Sequence, residues 1–235
     1  MELIFRRDAY AARTEATVLA VDERGVALDR TVFYATGGGQ PGDTGVLRHR
    51  GGAEIRLIDA VKGDGPDSVI HVPEPGAVLP EVGATVEVEI DWERRFAHMR
   101  MHTCLHLLCA VVPGAVTGGQ IGADRSRLDF NVPSASLDKD ELTAALNRLI
   151  EGDYPVKYRW IDDAELEANP DLVRTMSVKP PTRTGQVRLV EIEGVDLQPC
   201  GGTHVGRTGE IGRVEVVKIE NKGKQNRRVV VALAS

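Results

Sequence analysis

Between Thr14 and Ile90, apolar and polar positions fall into short runs cut by turn residues. Thr14–Val21 is rich in β-formers, Asp22-Glu23-Arg24-Gly25 makes a turn, and Val26-Ala27-Leu28 returns. Further strands are expected at Gly45–Arg48, Glu54–Val61, Ser68–Val72 and Thr85–Ile90. The last reads Val86-Glu87-Val88-Glu89-Ile90, the period of two that belongs to a strand with one buried face. Gly and Pro gather between the runs, at Gly63–Pro66 and Pro73–Gly83. No helical periodicity interrupts the series, so the pattern predicts an all-β N-terminal domain over residues 1–90, a small barrel.

After Ile90 the pattern changes. Asp91 is placed to cap a helix from Trp92 to Val111, which Pro113-Gly114 stops. A glycine turn is expected at Gly118-Gly119, then a strand through Arg127-Leu128-Asp129-Phe130. Asp138 with Glu141 three positions on is a capping-box arrangement. Leu142, Ala145, Leu146, Leu149 and Ile150 then recur as one apolar helical face. Strands follow at Val156–Ile161, Val187–Ile192, Arg213–Ile219 and Arg228–Leu233. Residues 91–235 therefore read as a second, α+β domain, and the chain carries no internal repeat or low-complexity segment.

Composition narrows the class without deciding the chemistry. The chain is 42% hydrophobic and 27% charged, ordinary for a globular protein, and only 4% aromatic, so its core must rest on Val, Leu, Ile and Ala. No apolar run reaches the roughly 18 residues of a membrane span. The start, Met1–Asp8, lacks the layout of a secretory signal. Together with only three cysteines, this predicts a reducing cytoplasm and no disulfide framework. A net charge of −6 argues against a general polyanion binder but leaves room for a local basic patch.

The sharpest chemical signal lies in two distant pieces. His102-Thr103-Cys104-Leu105-His106 puts two imidazoles about one helical turn apart on one face. Cys200-Gly201-Gly202-Thr203-His204 offers a thiolate and an imidazole joined by small residues that let the backbone curl. Together they supply three nitrogens and one sulfur, a set suited to tetrahedral Zn2+. The bland alternative is that His102 and His106 are packed core residues. His98 extends the stripe but lies about 12 Å of helical rise from His106, so it is expected near the site or at the surface. Cys109 is a weaker rival ligand, and Cys104 reads as a small core residue. With Thr103 after His102, the His-Glu-x-x-His reading of a zinc protease fails.

A second motif is Thr31-Val32-Phe33-Tyr34-Ala35-Thr36-Gly37-Gly38-Gly39-Gln40-Pro41-Gly42-Asp43-Thr44-Gly45. Consecutive glycines allow close backbone approach and present amide donors. The Gly-Lys-Ser/Thr ending of a phosphate loop is missing, and no strand-then-helix setting makes it a dinucleotide fingerprint. Taken bare, it is a structural turn or a ligand loop.

The two halves of the metal motif together resemble the editing domain of alanyl-tRNA synthetase. Gly37–Gly45 is similar to the glycine motif of that family, and Asn221–Arg228 to its C-terminal hairpin. With no aminoacylation segment beside them, the chain resembles the freestanding editing proteins called AlaX, in the medium-length form. That resemblance implies a translation-factor-like β-barrel joined to an α+β zinc-binding domain shared with threonyl-tRNA synthetase editing modules. It implies Zn2+ on His102, His106, Cys200 and His204, and a glycine loop that closes over the pocket, with Thr31 sensing a serine hydroxyl; Gln40 and the loop amides of Gly38 and Gly39 are then expected to position the amino acid. Cys104 stands where the family has small, Ala-like residues.

The implied reaction is ester hydrolysis of tRNA(Ala) mischarged with serine, and of Gly-tRNA(Ala), in trans, with no nucleotide cofactor and no membrane. Serine exceeds alanine by one hydroxyl that a synthetase pocket rejects poorly, so a second site must remove the error. Alternatives are editing of another mischarged tRNA, such as a threonyl-tRNA, or a non-catalytic tRNA-binding module with structural zinc. Four protein ligands close a tetrahedral ion, so it must expand, lose a ligand or act only as an anchor. Cations expected at tRNA are Lys218, Lys222, Lys224, Arg227 and Arg228, with Arg94, Arg95 and Arg100 near the helix start.

Overall fold

The computed structural model describes residues 1–49, 54–65, 67–132, 137–173, 185–223 and 225–234. The chain divides into two compact units, Met1–Phe96 and Ala97–Ser235. The strands of the first unit are β1 (Glu2–Leu3), β2 (Arg13–Asp22), β3 (Gly25–Leu28), β4 (Arg30–Thr31), β5 (Gly45–His49), β6 (Ile55–Lys62), β7 (Val69–Pro73) and β8 (Thr85–Ile90). Six of them close a barrel in the order β2-β3-β7-β6-β5-β8, each neighbour antiparallel. The alternation read from the sequence explains it: Val86, Val88 and Ile90 are buried while Glu87 and Glu89 are not. Val18, Val26, Leu28, Leu47 and Leu57 fill the same interior, and closure leaves those strands no open edge. The two-residue strands β1 and β4 pair in parallel, an element that their brevity hid from the sequence pattern.

A long helix, α1 (Trp92–Val111), begins in the first unit and runs on into the second. Its start is capped as expected, the Asp91 carboxylate accepting from the Arg94 amide at 3.3 Å. The second unit continues with β9 (Ala115–Gln120), β10 (Arg125–Asn131), α2 (Lys139–Glu151), β11 (Val156–Ile161), α3 (Asp163–Ala168), β12 (Val187–Ile192), β13 (Asp196–Pro199), β14 (Val214–Asn221) and β15 (Asn226–Leu233). One sheet runs β14-β15-β10-β9 and a second β11-β12-β13. The whole is an α+β protein with a six-stranded barrel. Helix α2 starts at Asp138, whose carboxylate accepts from Asp140 and Glu141 amides at 2.9 Å. It is tied to β14 by Asn147, which bonds both the carbonyl and the amide of Val214, at 2.8 and 3.1 Å.

One expectation changes, and two elements are new. Gly118 and Gly119 lie inside β9, opposite Asp129 and Leu128, and not in a turn. Glycine serves there as room: a Cβ on Gly119 would come 2.7 Å from the Leu128 side chain. Strand β13 and helix α3 escaped the sequence reading because each is too short to show a period. Among the described residues, no helix is long and apolar enough to cross a membrane.

Candidate metal centre and glycine loop

The glycine loop is a braced structure within the first unit. Gly37 and Gln40 exchange amide-to-carbonyl hydrogen bonds at 3.0 Å, and the two residues between them have positive φ, 58° at Gly38 and 84° at Gly39. Two left-handed positions in a row make a tight turn that favours glycine at both. At its root, Tyr34 and Asp43 are doubly linked: the Asp43 amide donates to the Tyr34 carbonyl at 3.0 Å, and the Tyr34 amide donates to the Asp43 carboxylate at 2.6 Å. The Tyr34 hydroxyl donates to the Gly37 carbonyl at 2.7 Å. The Asp43 carboxylate is in turn gripped by Arg95, which is fully buried and also donates to the carbonyls of Ala9 and Val32. Arg95, expected among the tRNA cations, is therefore committed inside the protein.

Thr31 is fully buried. Its hydroxyl lies 2.7 Å from His71 Nε2 and accepts from the Phe33 amide at 3.0 Å. His71 Nδ1 sits 3.0 Å from the Val26 carbonyl, which can only accept. The ring proton must therefore be on Nδ1, and the Thr31 hydroxyl donates to a bare Nε2. Burial depresses the His71 pKa to about 4, against the smaller opposing effect of the Val26 bond. Gln40 is buried as well.

In the second unit the four expected donors meet. His102 and His106 on α1 and Cys200 and His204 after β13 present ligand atoms that all lie within 4.8 Å of one another. Cys200 Sγ is 3.4 Å from His102 Nε2 and 3.3 Å from His204 Nε2. A tetrahedral ion with nitrogen bonds of about 2.0 Å and a sulfur bond of about 2.3 Å has ligand–ligand edges of about 3.5 Å. Both the donor set and its spacing fit Zn2+.

Surrounding residues aim these rings. Thr103 Oγ1 donates to the Met99 carbonyl at 3.0 Å, one turn back on α1. With its only proton spent, it must accept from His204 Nδ1–H, 3.1 Å away, which leaves His204 Nε2 bare toward the cluster. His106 Nδ1 lies 3.0 Å from the Asp196 carboxylate, which places a proton on Nδ1 of His106 as well. Gln198 Nε2 donates to the same carboxylate oxygen at 2.8 Å. Arg188, nearly buried, holds the Cys200 and Gly202 carbonyls while its guanidinium stacks 4.4 Å over the Tyr158 ring.

The electrostatics agree with cation binding. Burial works against the Cys200 thiolate, but the adjacent His102 and His204 imidazoles outweigh it and hold the thiol well below its ordinary range. Burial and then the charge of His102 push His204 well below the ordinary imidazole value. At His106 burial is overcome by the Asp196 hydrogen bond and the Cys200 thiolate, raising its pKa to about 9. A proton or a metal ion on the inward nitrogen answers the same negative charge.

Thr103, Asp196, Gln198 and Arg188 were missed by the sequence reading, although one signal was there. Asp196, Gln198 and Cys200 stand at alternate positions, one face of β13 extended by a residue. His98, expected near the site or at the surface, is buried and outside the four-residue cluster. Cys104 is a buried thiol whose pKa burial lifts to about 12, in keeping with a core role, and Cys109 is buried outside the cluster.

The C-terminal cations sit on a face shared with acids. Arg228 bonds both Asp129 carboxylate oxygens, at 2.7 and 2.8 Å. Lys218 and Lys222 approach Glu220 at 2.7 and 3.9 Å. The Arg227 guanidinium donates to the carbonyls of Asn226 and Gly223 at 3.1 and 3.5 Å. Arg100 donates to the Ile211 carbonyl at 2.7 Å and Arg94 to that of Gly42 at 3.3 Å. Lys224 lies outside the described residues.

Residues 187–230 match the threonyl and alanyl tRNA synthetase second additional domain, and residues 7–94 match the class II (A) tRNA synthetases. The chain is 39% identical to the alanyl-tRNA editing protein AlaX-M of Methanosarcina acetivorans, over 99% of this chain and 98% of that protein. It is 41% identical to the AlaX-M protein of Methanosarcina barkeri, over 99% and 98%. To the alanine–tRNA ligase of Pyrobaculum calidifontis it is 38% identical over 92% of this chain, which corresponds to 25% of the ligase.

Proposed function

The chain belongs to the alanyl-tRNA editing proteins of the AlaX-M type, and from that premise we propose that it hydrolyses the ester bond of mischarged tRNA(Ala) in trans, with Ser-tRNA(Ala) as the main substrate and Gly-tRNA(Ala) as a second. In this reading residues 1–90 carry recognition and residues 91–235 carry the chemistry. A cytoplasmic setting, where Cys200 stays reduced, suits the role. The observation that carries the proposal is the convergence of four zinc-type donors from two segments about a hundred residues apart. Nothing in local structure requires that meeting.

His102, His106, Cys200 and His204 would hold Zn2+, which when bound supplies Lewis acidity at the ester or an anchor for the substrate's hydroxyls. The chain's own groups do the rest. Asp196 and Thr103 hold the Nδ1 protons of His106 and His204, so that Nε2 of each ring is the nitrogen offered to the ion. Arg188 steadies the loop that bears the thiolate.

Discrimination is assigned to Thr31, with Gln40 and the amides of Gly38 and Gly39 setting the amino acid. A hydroxyl has one donor and two acceptor sites. Thr31 donates to His71 and accepts from Phe33, so one lone pair is left to accept from a serine hydroxyl. A site that bonds that hydroxyl disfavours alanine, which would leave a buried polar group unpaired. Because Thr31 is fully buried, this contact requires local opening of the loop that follows it.

The test is incubation with Ser-tRNA(Ala), Gly-tRNA(Ala) and Ala-tRNA(Ala). The expected result is loss of the first and, more slowly, the second, with the third spared and all activity blocked by chelation and restored by Zn2+. Equal loss of Ala-tRNA(Ala), or no deacylation of any substrate, overturns the reading. Full activity in metal-stripped protein or in Cys200→Ala would confine the ion to a structural part.

A further inference from the structure

Four ligands explain which atoms meet an ion, but they leave a charge unbalanced. A dication held by one thiolate and three neutral imidazoles carries a net charge of +1. His102, His106 and His204 are all buried, and an uncompensated charge in such a place is strongly unfavourable. Asp196, itself buried, sets its carboxylate 3.0 Å from His106 Nδ1. It carries the missing negative charge.

The same contact decides the ring's chemistry. A carboxylate oxygen can only accept, so one His106 proton stays on Nδ1 and Nε2 is the nitrogen left for a metal. Hydrogen bonding to an anion also makes the ring a better donor to a metal. His204 has a different partner, the neutral Thr103 hydroxyl at 3.1 Å, which also accepts from the Val205 amide at 3.3 Å. His106 is thus backed by a carboxylate and His204 by a hydroxyl.

Asp196 is held in turn. Gln198 lies two residues along the same face of β13 and donates to the very oxygen that His106 uses. Gln198 Nε2 is also 3.2 Å from His106 Nδ1. Both of those nitrogens are donors, so their closeness reflects convergence on one acceptor. Asp196, Gln198 and Cys200 thus occupy three successive same-side positions, and one strand edge delivers the supporting acid, its clamp and the thiolate ligand together.

We propose that Asp196, oriented by Gln198, is the positioning residue of the metal centre: it fixes the His106 tautomer and supplies the second negative charge that makes the site selective for a dication. This rests on the metal reading above, and the experiment separates the two. Zn2+ affinity of the full chain is measured by competition with a chromophoric chelator, and Co2+ binding by visible absorption, for wild type, Asp196→Asn, Asp196→Ala and Gln198→Leu. Asp196→Asn keeps shape and loses charge; Asp196→Ala loses both acceptor and charge.

The expected order of affinity is wild type, then Gln198→Leu, then Asp196→Asn, then Asp196→Ala, with the Asp196 variants weaker by about 10- to 100-fold. The thiolate-to-Co2+ band should persist in each variant at saturating metal, since Cys200 is untouched. Wild-type affinity in Asp196→Asn overturns the charge role, and wild-type affinity in both Asp196 variants overturns the whole inference. Should Asp196→Ala fail to fold, Asp196→Asn and Gln198→Leu still decide it. A wild-type protein that binds neither ion sinks the metal reading itself, and this inference with it.

Discussion

His71 makes the barrel unit acid-sensitive in a predictable way. Its ring is buried among uncharged partners: the Thr31 hydroxyl, the Val26 carbonyl and the Phe33 ring, whose centroid is 5.1 Å away. Protonating Nε2 would set two donors against each other, because the Thr31 hydroxyl already points its proton there. The pKa accordingly falls from 6.5 to about 4 on folding, chiefly through burial. The sign follows from linkage. The unfolded chain takes up the proton first, so the contribution of neutral His71 is complete above pH 6.5 and is lost as pH falls toward 4. A shift of that size, at about 1.4 kcal/mol per pH unit, amounts to about 3 kcal/mol. Urea unfolding followed by circular dichroism between pH 7.5 and 4.5 measures it. His71→Gln replaces the ring with a side chain that does not titrate. The variant should be less stable at pH 7.5 but should lose about 2–3 kcal/mol less than wild type over that range. Equal losses in the two proteins would refute the assignment of the acid slope to this ring.

Two other outcomes are expected. Arg95→Met removes the only cation at the buried Asp43 carboxylate among the described residues and should cost about 3–5 kcal/mol in urea unfolding; a loss below about 1 kcal/mol would mean the pair contributes little. Arg227→Ala should weaken tRNA binding across sequences and lower the salt slope by about 1. Arg228→Ala should act mainly by freeing Asp129, so an equal salt-slope change in both variants, read by filter binding, would contradict the pairing described.

The element pattern was largely legible before the fold. The alternation at Val86–Ile90 became β8, and Val156–Ile161 and Val187–Ile192 became β11 and β12 at those bounds. The cap at Asp138 was also readable, because a cap is a contact within three residues. Gly118-Gly119 misled for a physical reason. Glycine marks turns statistically, but here it makes space for Leu128 across a sheet. The C-terminal cations show the same limit, since a run of Lys and Arg says nothing about acids on a neighbouring strand.

What the chain's order of residues determined by itself was local: strand and helix periods, caps, and the identity of four donors suited to one ion. Tertiary structure decided what those donors are backed by. Asp196 is 90 residues from His106 in sequence, and Thr103 is 101 from His204. No periodicity spans such distances. A hydrogen bond between them exists only because packing sets α1 beside the β13 loop. Thr103 is the clearest case: its neighbour His102 made it look like a departure from a protease motif, and only the fold turns its oxygen into the acceptor that orients His204.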